Sequence, residues 1–330
     1  MSPPHIHPTR RSALALAAGT VVLAATSPSW ALGYPDKPIS LVVASAPGGA
    51  GDSLARAIAE ELHKRLRQPV IVENLSGASG AIGVQKVLRA PADGYTLLFG
   101  TTGDMILTPI ASRTAGYSLK DFTPVARLSV TPMALVARPG LGVATFDQLV
   151  TLARQRSSPL TIAVSGNVSL SAFGAVAITR AAQIELLSVP YKSAPPMMND
   201  LLGGQVDLSV GALPSVLAHV RAGKLTMLGL LSQDRASAAP DWPTLNESAA
   251  AKGIAVEVWA SIAGPPSLPP AIVDKLNRAL QEALADPVFR DARTKLGDTL
   301  APPARAEEFA RFLVAEDARY RRLAVGMKLE

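Results

Sequence analysis

The chain has no cysteine, which excludes disulfides and thiolate metal sites and suits an exported protein that folds without oxidation. Histidine is scarce: of four, His5 and His7 lie at the extreme N-terminus, leaving His63 and His219 for the rest of the chain. Both fall on polar helical faces, so metal clusters and histidine-dependent triads have little to work with. Aromatics make up only 5% of residues, and no basic stripe interleaves with them, which argues against nucleic acid. No Gly-x-Ser-x-Gly motif is present, nor a Walker lysine. The formal net charge of +6 is mild for 330 residues and is scattered among acids.

Residues 1–31 read as a targeting segment. Arg10 and Arg11 form a basic start, an alanine-rich apolar stretch runs over 13–25, and Ser29-Trp30-Ala31 places small residues for cleavage after Ala31. The twin arginines leave the export route, Sec or Tat, undecided. The apolar stretch is too short to span a membrane, and no later run of about 18 apolar residues appears. The expected location is the periplasm.

The stretch 39–66 sets the pattern for the mature chain. Residues 39–45 form a short, β-branched apolar run without polar alternation, which predicts a buried parallel strand. It breaks at Pro47-Gly48-Gly49, and a helix is expected from about Asp52, with Leu54, Ile58, Leu62 and Leu66 on one apolar face. Strand, glycine turn and helix start together form an anion-binding device, because first-turn amides lack partners and the helix dipole favours negative charge. The same turn also reads as a plain βα connection with Asp52 as a helix cap. It is not a nucleotide fingerprint, since Leu54 stands where the third glycine of GxGxxG belongs.

Strand-like runs alternate with helical patterns through the remaining chain, predicting an α/β architecture with parallel sheets. Strands are expected at 70–72, 96–99, 134–137, 160–164, 185–189, 205–210, 225–231 and 257–263, with closing helices from Ala271, Pro287 and Arg305. No repeat of fixed period is visible. Polar glycine turns at 46–52, 100–104 and 165–169 each follow the carboxyl end of a strand, the edge where open α/β sheets bind ligands. Backbone amides and small hydroxyls dominate them: Ser45, Ser53, Thr101, Thr102, Ser165 and Ser169.

The segments Tyr34-Pro35-Asp36-Lys37-Pro38-Ile39, Ala46-Pro47-Gly48-Gly49 with Asp52, Val72-Glu73-Asn74 with Gly77-Ala78 and Gly80, and Asp93-Gly94-Tyr95-Thr96-Leu97 resemble the solute-binding proteins of tripartite tricarboxylate transporters, also called Bug or TctC proteins. So do Val189-Pro190-Tyr191-Lys192, Asp200-Leu201-Leu202-Gly203-Gly204-Gln205-Val206-Asp207, Ala222-Gly223-Lys224, Trp259 and Lys275-Leu276-Asn277, in the same order along the chain. The resemblance implies a type II periplasmic binding protein, two α/β lobes joined by a hinge with a ligand cleft between them. Lobe 1 would comprise 32–136 and 256–330, and lobe 2 would comprise 137–255. It implies a non-enzymatic monomer without cofactor or metal, whose partners are a small carboxylate (dicarboxylate, tricarboxylate or aromatic acid) and the transporter's membrane subunits.

Carried over by residue, the resemblance puts Ala46, Pro47, Gly48, Gly49, Asp52, Ser53, Thr101 and Thr102 on one wall of the cleft. Ser165, Gly166, Asn167 and Ser169 would form the other, with Tyr191 and Asp207 near its floor. Asp207 reads equally as structural. The sequence departs from the family pattern at Ala44-Ser45, Val168, Ala172, Ser193 and Gly211, the last standing where many members carry an acid. These departures favour a plain carboxylate over an amino acid. Two other readings remain: a periplasmic sensor presenting its ligand to a membrane sensor kinase, and a serine hydrolase using a loop serine.

Overall fold

The structure, a computed structural model, describes residues 33–166, 168–191, 194–236, 239–296 and 298–327. The expected leader 1–31 and Asn167 lie outside them. The first strand, β1 (Ile39–Val43), leads through the glycine turn into α1 (Ala50–Leu66), which begins two residues before Asp52. Leu54, Ile58, Leu62 and Leu66 are all buried, the apolar face expected from their spacing. Strands β2 (Val70–Asn74) and β3 (Thr96–Thr101) flank β1 in parallel, with α2 (Ala81–Leu88) between them in sequence. A π-helical turn, Gly103–Leu107, and the short α3 (Thr108–Ala111) follow.

Strand β4 (Thr123–Ala137) is fifteen residues long, where the apolar run predicted only 134–137. Pro124, Pro132 and the polar Arg127, Ser129 and Thr131 hide its first part from any periodicity. The prolines are tolerated because the register slips beside Pro124 and because β4 changes partners at Pro132. After it come α4 (Phe146–Gln155), β5 (Leu160–Val164), α5 (Leu170–Ala182), β6 (Leu186–Pro190), α6 (Ala194–Leu202), β7 (Leu208–Ala212), α7 (Leu213–Arg221) and β8 (Thr226–Leu230). The chain ends with β9 (Glu257–Gly264), α8 (Pro270–Ala285), α9 (Pro287–Lys295) and α10 (Ala306–Ala324).

One strand path runs β2-β1-β3-β9-β4-β7-β5-β6, with β8 added on β4. The first part of β4 pairs antiparallel with β9 as far as Pro132↔Glu257, and the last part pairs with β7 from Met133↔Ala212 and with β8. Two groups of five therefore share β4: β2-β1-β3-β9-β4 and β6-β5-β7-β4-β8. In each, three parallel strands are followed by an antiparallel insertion and an edge strand. The second passage between groups lies beside the first, where Met133 N–H donates to Val256 O (3.2 Å) and Val256 N–H to Leu231 O (2.7 Å). This duplication of topology leaves no fixed period in the sequence, because only strand order and direction repeat.

Helix α10 packs across both groups. Its Phe309 and the neighbouring Phe312 meet Trp259 of β9 edge-on at 6.2 and 6.0 Å, and its Tyr320 meets Phe173 of α5 at 5.3 Å. Trp259 is fully buried, and its indole N–H donates to Glu316 Oε2 (3.1 Å). Among the described residues no helix is long and apolar enough to cross a membrane.

Candidate functional site

A cavity of about 690 Å³ opens between the two strand groups. One wall comes from the turn after β2 and the segment after β3, including Ala78, Ser79, Gly103, Asp104 and Thr108. The other comes from the turn after β5: Ser165, Gly166, Val168, Ser169 and Leu170. Both walls lie at carboxyl ends of parallel strands, as the edge rule requires.

Two helix N-termini reach this cavity. That of α2 is entered through residues 77–80, all with positive φ: Gly77 at 129°, Ala78 at 46°, Ser79 at 53° and Gly80 at 91°. Left-handed Ala78 and Ser79 are costly conformations of the kind that gather at functional sites. At Gly80 a Cβ would stand 2.5 Å from Asp104 Oδ1, so the turn and the acid fit only with glycine there. No side chain caps the α2 amides, while Thr108 Oγ1 donates to Ser79 O (2.8 Å) and pins the turn. The α5 terminus is a hydroxyl ring. Ser169 Oγ accepts from Ala172 N–H (3.1 Å), Ser171 Oγ accepts from Ser165 N–H (2.8 Å), and Ser171 Oγ stands 3.1 Å from Ser165 Oγ and 2.8 Å from Ser169 Oγ.

Asp104 is the sole ionisable side chain among the described residues lining the cavity. Burial pushes its carboxyl up to about 6, against the opposing pull of the Thr101 N–H (3.1 Å) and hydroxyl (2.8 Å) that donate to Oδ2. Among the described residues no group of three or more His, Asp or Glu side chains is arranged to hold a metal ion.

The other expected site residues lie elsewhere. Ala46, Pro47, Gly48 and Gly49 stand exposed outside the cavity. Asp52 points inward, 5% exposed, accepting from Gly48 N–H (2.9 Å), Arg56 Nε (3.0 Å) and Asn74 Nδ2 (3.0 Å). These donors, the Arg56 hydrogen bond foremost, hold its carboxyl down to about 2. Ser53 Oγ accepts from the Arg293 guanidinium (3.3 Å), tying α1 to α9. Thr101 serves Asp104, and fully buried Thr102 braces β3 to β9 by accepting from Trp259 N–H (3.0 Å). Tyr191 donates to Asp200 Oδ2 (2.7 Å). Asp207 joins Arg138 Nε (3.0 Å) to Thr161 N–H (2.9 Å) at the starting ends of β5 and β7, opposite the 165–169 turn. These contacts support the structural one of the two readings that its sequence context allowed. Ser165, Gly166 and Ser169 are brought together on the cavity wall; Asn167 lies outside the described residues.

Sequence reasoning missed Ser79, Thr108 and Ser171, and named the 100–104 turn without singling out its Asp104. The polar turn 75–80 follows the end of β2, so the edge rule applied to it could have found Ser79. Asp52→Ala removes three donors' acceptor and is expected to destabilise the fold by about 2 kcal/mol, the scale of hydrogen bonds to a charged group. Because the folded carboxyl is depressed, this stabilisation is present above the ordinary 3.8 and lost as pH falls toward about 2. Urea unfolding of both proteins at pH 7 and pH 3 reads the loss at pH 7 and its narrowing at pH 3.

The sequence matches the profile of the tripartite tricarboxylate transporter family receptor, TctC, over residues 54–328. Protein BugT of Bordetella pertussis is 33% identical over 286 residues, 84% of this chain and 86% of its own. The solved structure of R. palustris Rpa4515 with adipate is similar at 30% identity and TM-score 0.73, covering 88% of this chain and 97% of that one. MatC of Rhodopseudomonas palustris with bound malate is similar at 30% identity and TM-score 0.70, covering 88% and 99%. These matches run through both strand groups, and the chain belongs to the TctC receptor family of tripartite tricarboxylate transporters.

Proposed function

We propose that this protein is a periplasmic solute-binding protein, exported by its leader, that captures a small carboxylate between two lobes and delivers it to transporter membrane subunits without altering it. The lobes are drawn at the change of partners in β4, as 35–132 with 257–327 and as 133–256, a few residues from the 136/137 division expected from the sequence. The observation that carries the reading is the convergence of two helix N-termini, one from each strand group, on one cavity. Each contributes about 0.3–1 kcal/mol toward an anion, and up to ~2 kcal/mol where sheltered from water. Relatives solved with adipate and malate share the fold across both groups. Binding without chemistry agrees with Ser165, whose hydroxyl faces Ser171 rather than a base.

Titration calorimetry at pH 7.5 with adipate, malate, benzoate and hexanoate tests it. Saturable heat with at least one acid is expected, weakened severalfold by Ser165→Ala. Neither heat nor a melting shift with any of the four would overturn the reading.

A further inference from the structure

A second chamber of about 540 Å³ adjoins the first, with Ser165 and Leu170 lining both. Its wall is apolar and rich in thioether: Met133, Leu170, Met197, Met198, Val210 and Val258. Among the described residues that line it none carries a charge. Its hydroxyls are engaged internally, Ser215 Oγ donating to Ala212 O (2.6 Å) and Ser171 Oγ held within the α5 ring. Gly211 lies on the wall where a Cβ would stand 2.8 Å from Val216 Cγ1, so no charged side chain fits there without displacing the core.

The two chambers thus offer unlike environments on either side of Ser165. One presents helix N-termini and hydroxyls, which suit a single carboxylate. The other removes apolar surface from water but offers a second carboxylate no counter-charge and, beyond the uncapped first-turn amides of α7 beside Ala212 and Ser215, only hydroxyls already engaged, which makes a buried anion there costly. Flexible methionines adapt to tails of different shape.

We infer that the ligand is a monocarboxylate with an apolar body, its carboxylate at the Ser165 turn and its tail in the methionine-lined chamber, in preference to a dicarboxylate of the same length. The inference rests on the carboxylate reading above and narrows it. Hexanoate and adipate, equal in carbon count and different only at the far end, separate the two claims. Calorimetry at pH 7.5 is expected to show hexanoate and 3-phenylpropanoate binding at least tenfold more tightly than adipate. Met198→Lys, which places a cation in the chamber, is expected to weaken hexanoate at least tenfold and bring adipate level with it or ahead. The wild-type ratio carries the test if that variant does not fold. Adipate binding as tightly as hexanoate to the wild type overturns the tail assignment and leaves the carboxylate reading standing. Silence from all three acids overturns the tail assignment, and silence from malate and benzoate as well overturns the carboxylate reading with it.

Discussion

Asp104→Asn is expected to tighten the binding of a small acid about tenfold at pH 7.5 and to flatten its dependence on pH. In the wild type, affinity is expected to fall as pH rises through about 6, because Asp104 gains its charge in the cavity proposed above to receive the ligand's carboxylate. Two unit charges about 8 Å apart at an effective dielectric near 20 repel by about 2 kcal/mol, enough for the tenfold change. The neighbouring Tyr117 hydroxyl donates to the Asp104 carbonyl (2.7 Å) and stays protonated through this range, so it adds no second step. Asparagine keeps an acceptor for the Thr101 donors, so the turn survives. Stability provides a readout independent of ligand. The folded carboxyl is raised, so its protonated form is favoured at low pH and stability is lost as pH rises through about 6. The rise from 3.8 to about 6 corresponds to about 3 kcal/mol at pH 7.5 at most, and the asparagine variant should recover part of it. Titration calorimetry and urea unfolding at pH 5 and 7.5 decide the matter. A wild-type affinity unchanged between these pH values would remove Asp104 from the ligand's surroundings.

The largest loss of stability is expected from Glu316→Ala. Glu316 is 3% exposed, accepts from the Trp259 indole, and pairs with Arg319 at 2.5 Å. Removing one member of a buried pair costs about 3–5 kcal/mol, and because Arg319 is 21% exposed and also faces Glu257 the loss is expected at the low end of that range. The buried indole N–H loses its acceptor as well. Glu316→Gln retains an acceptor for Trp259 and is expected to cost less than half as much. Equilibrium urea unfolding ranks the three proteins, and an alanine variant within about 1 kcal/mol of the wild type would show that Arg319 finds other partners. The effect matters beyond α10, since the same helix packs on both strand groups through Trp259 and Phe173.

Elements with strong periodicity were legible from sequence alone. The β1 run, the α1 face and the β5 strand lie where their apolar residues placed them, because local pattern and burial agree there. The first part of β4 was illegible because its prolines and polar residues are accommodated by slipped pairing, which only the partner strand reveals. The cavity was half legible. The 165–169 turn and the end of the 100–104 turn line it, whereas the 46–49 turn stands outside, with Gly48 N–H engaged by inward-facing Asp52. A carboxylate close in sequence to a glycine turn can brace that turn or face a cavity, and sequence does not separate Asp52 from Asp104. The donors decide: Asp52 gathers a guanidinium, a side-chain amide and the Gly48 N–H, while Asp104 has only uncharged donors, Thr101 and its own amide, and is raised.

Because β4 belongs to both strand groups, neither half of the molecule owns a complete sheet. Excising one half would strip the other of a ribbon of main-chain partners and bare an edge. The two halves are therefore expected to melt together, and a ligand bound between them to raise a single transition for the whole chain.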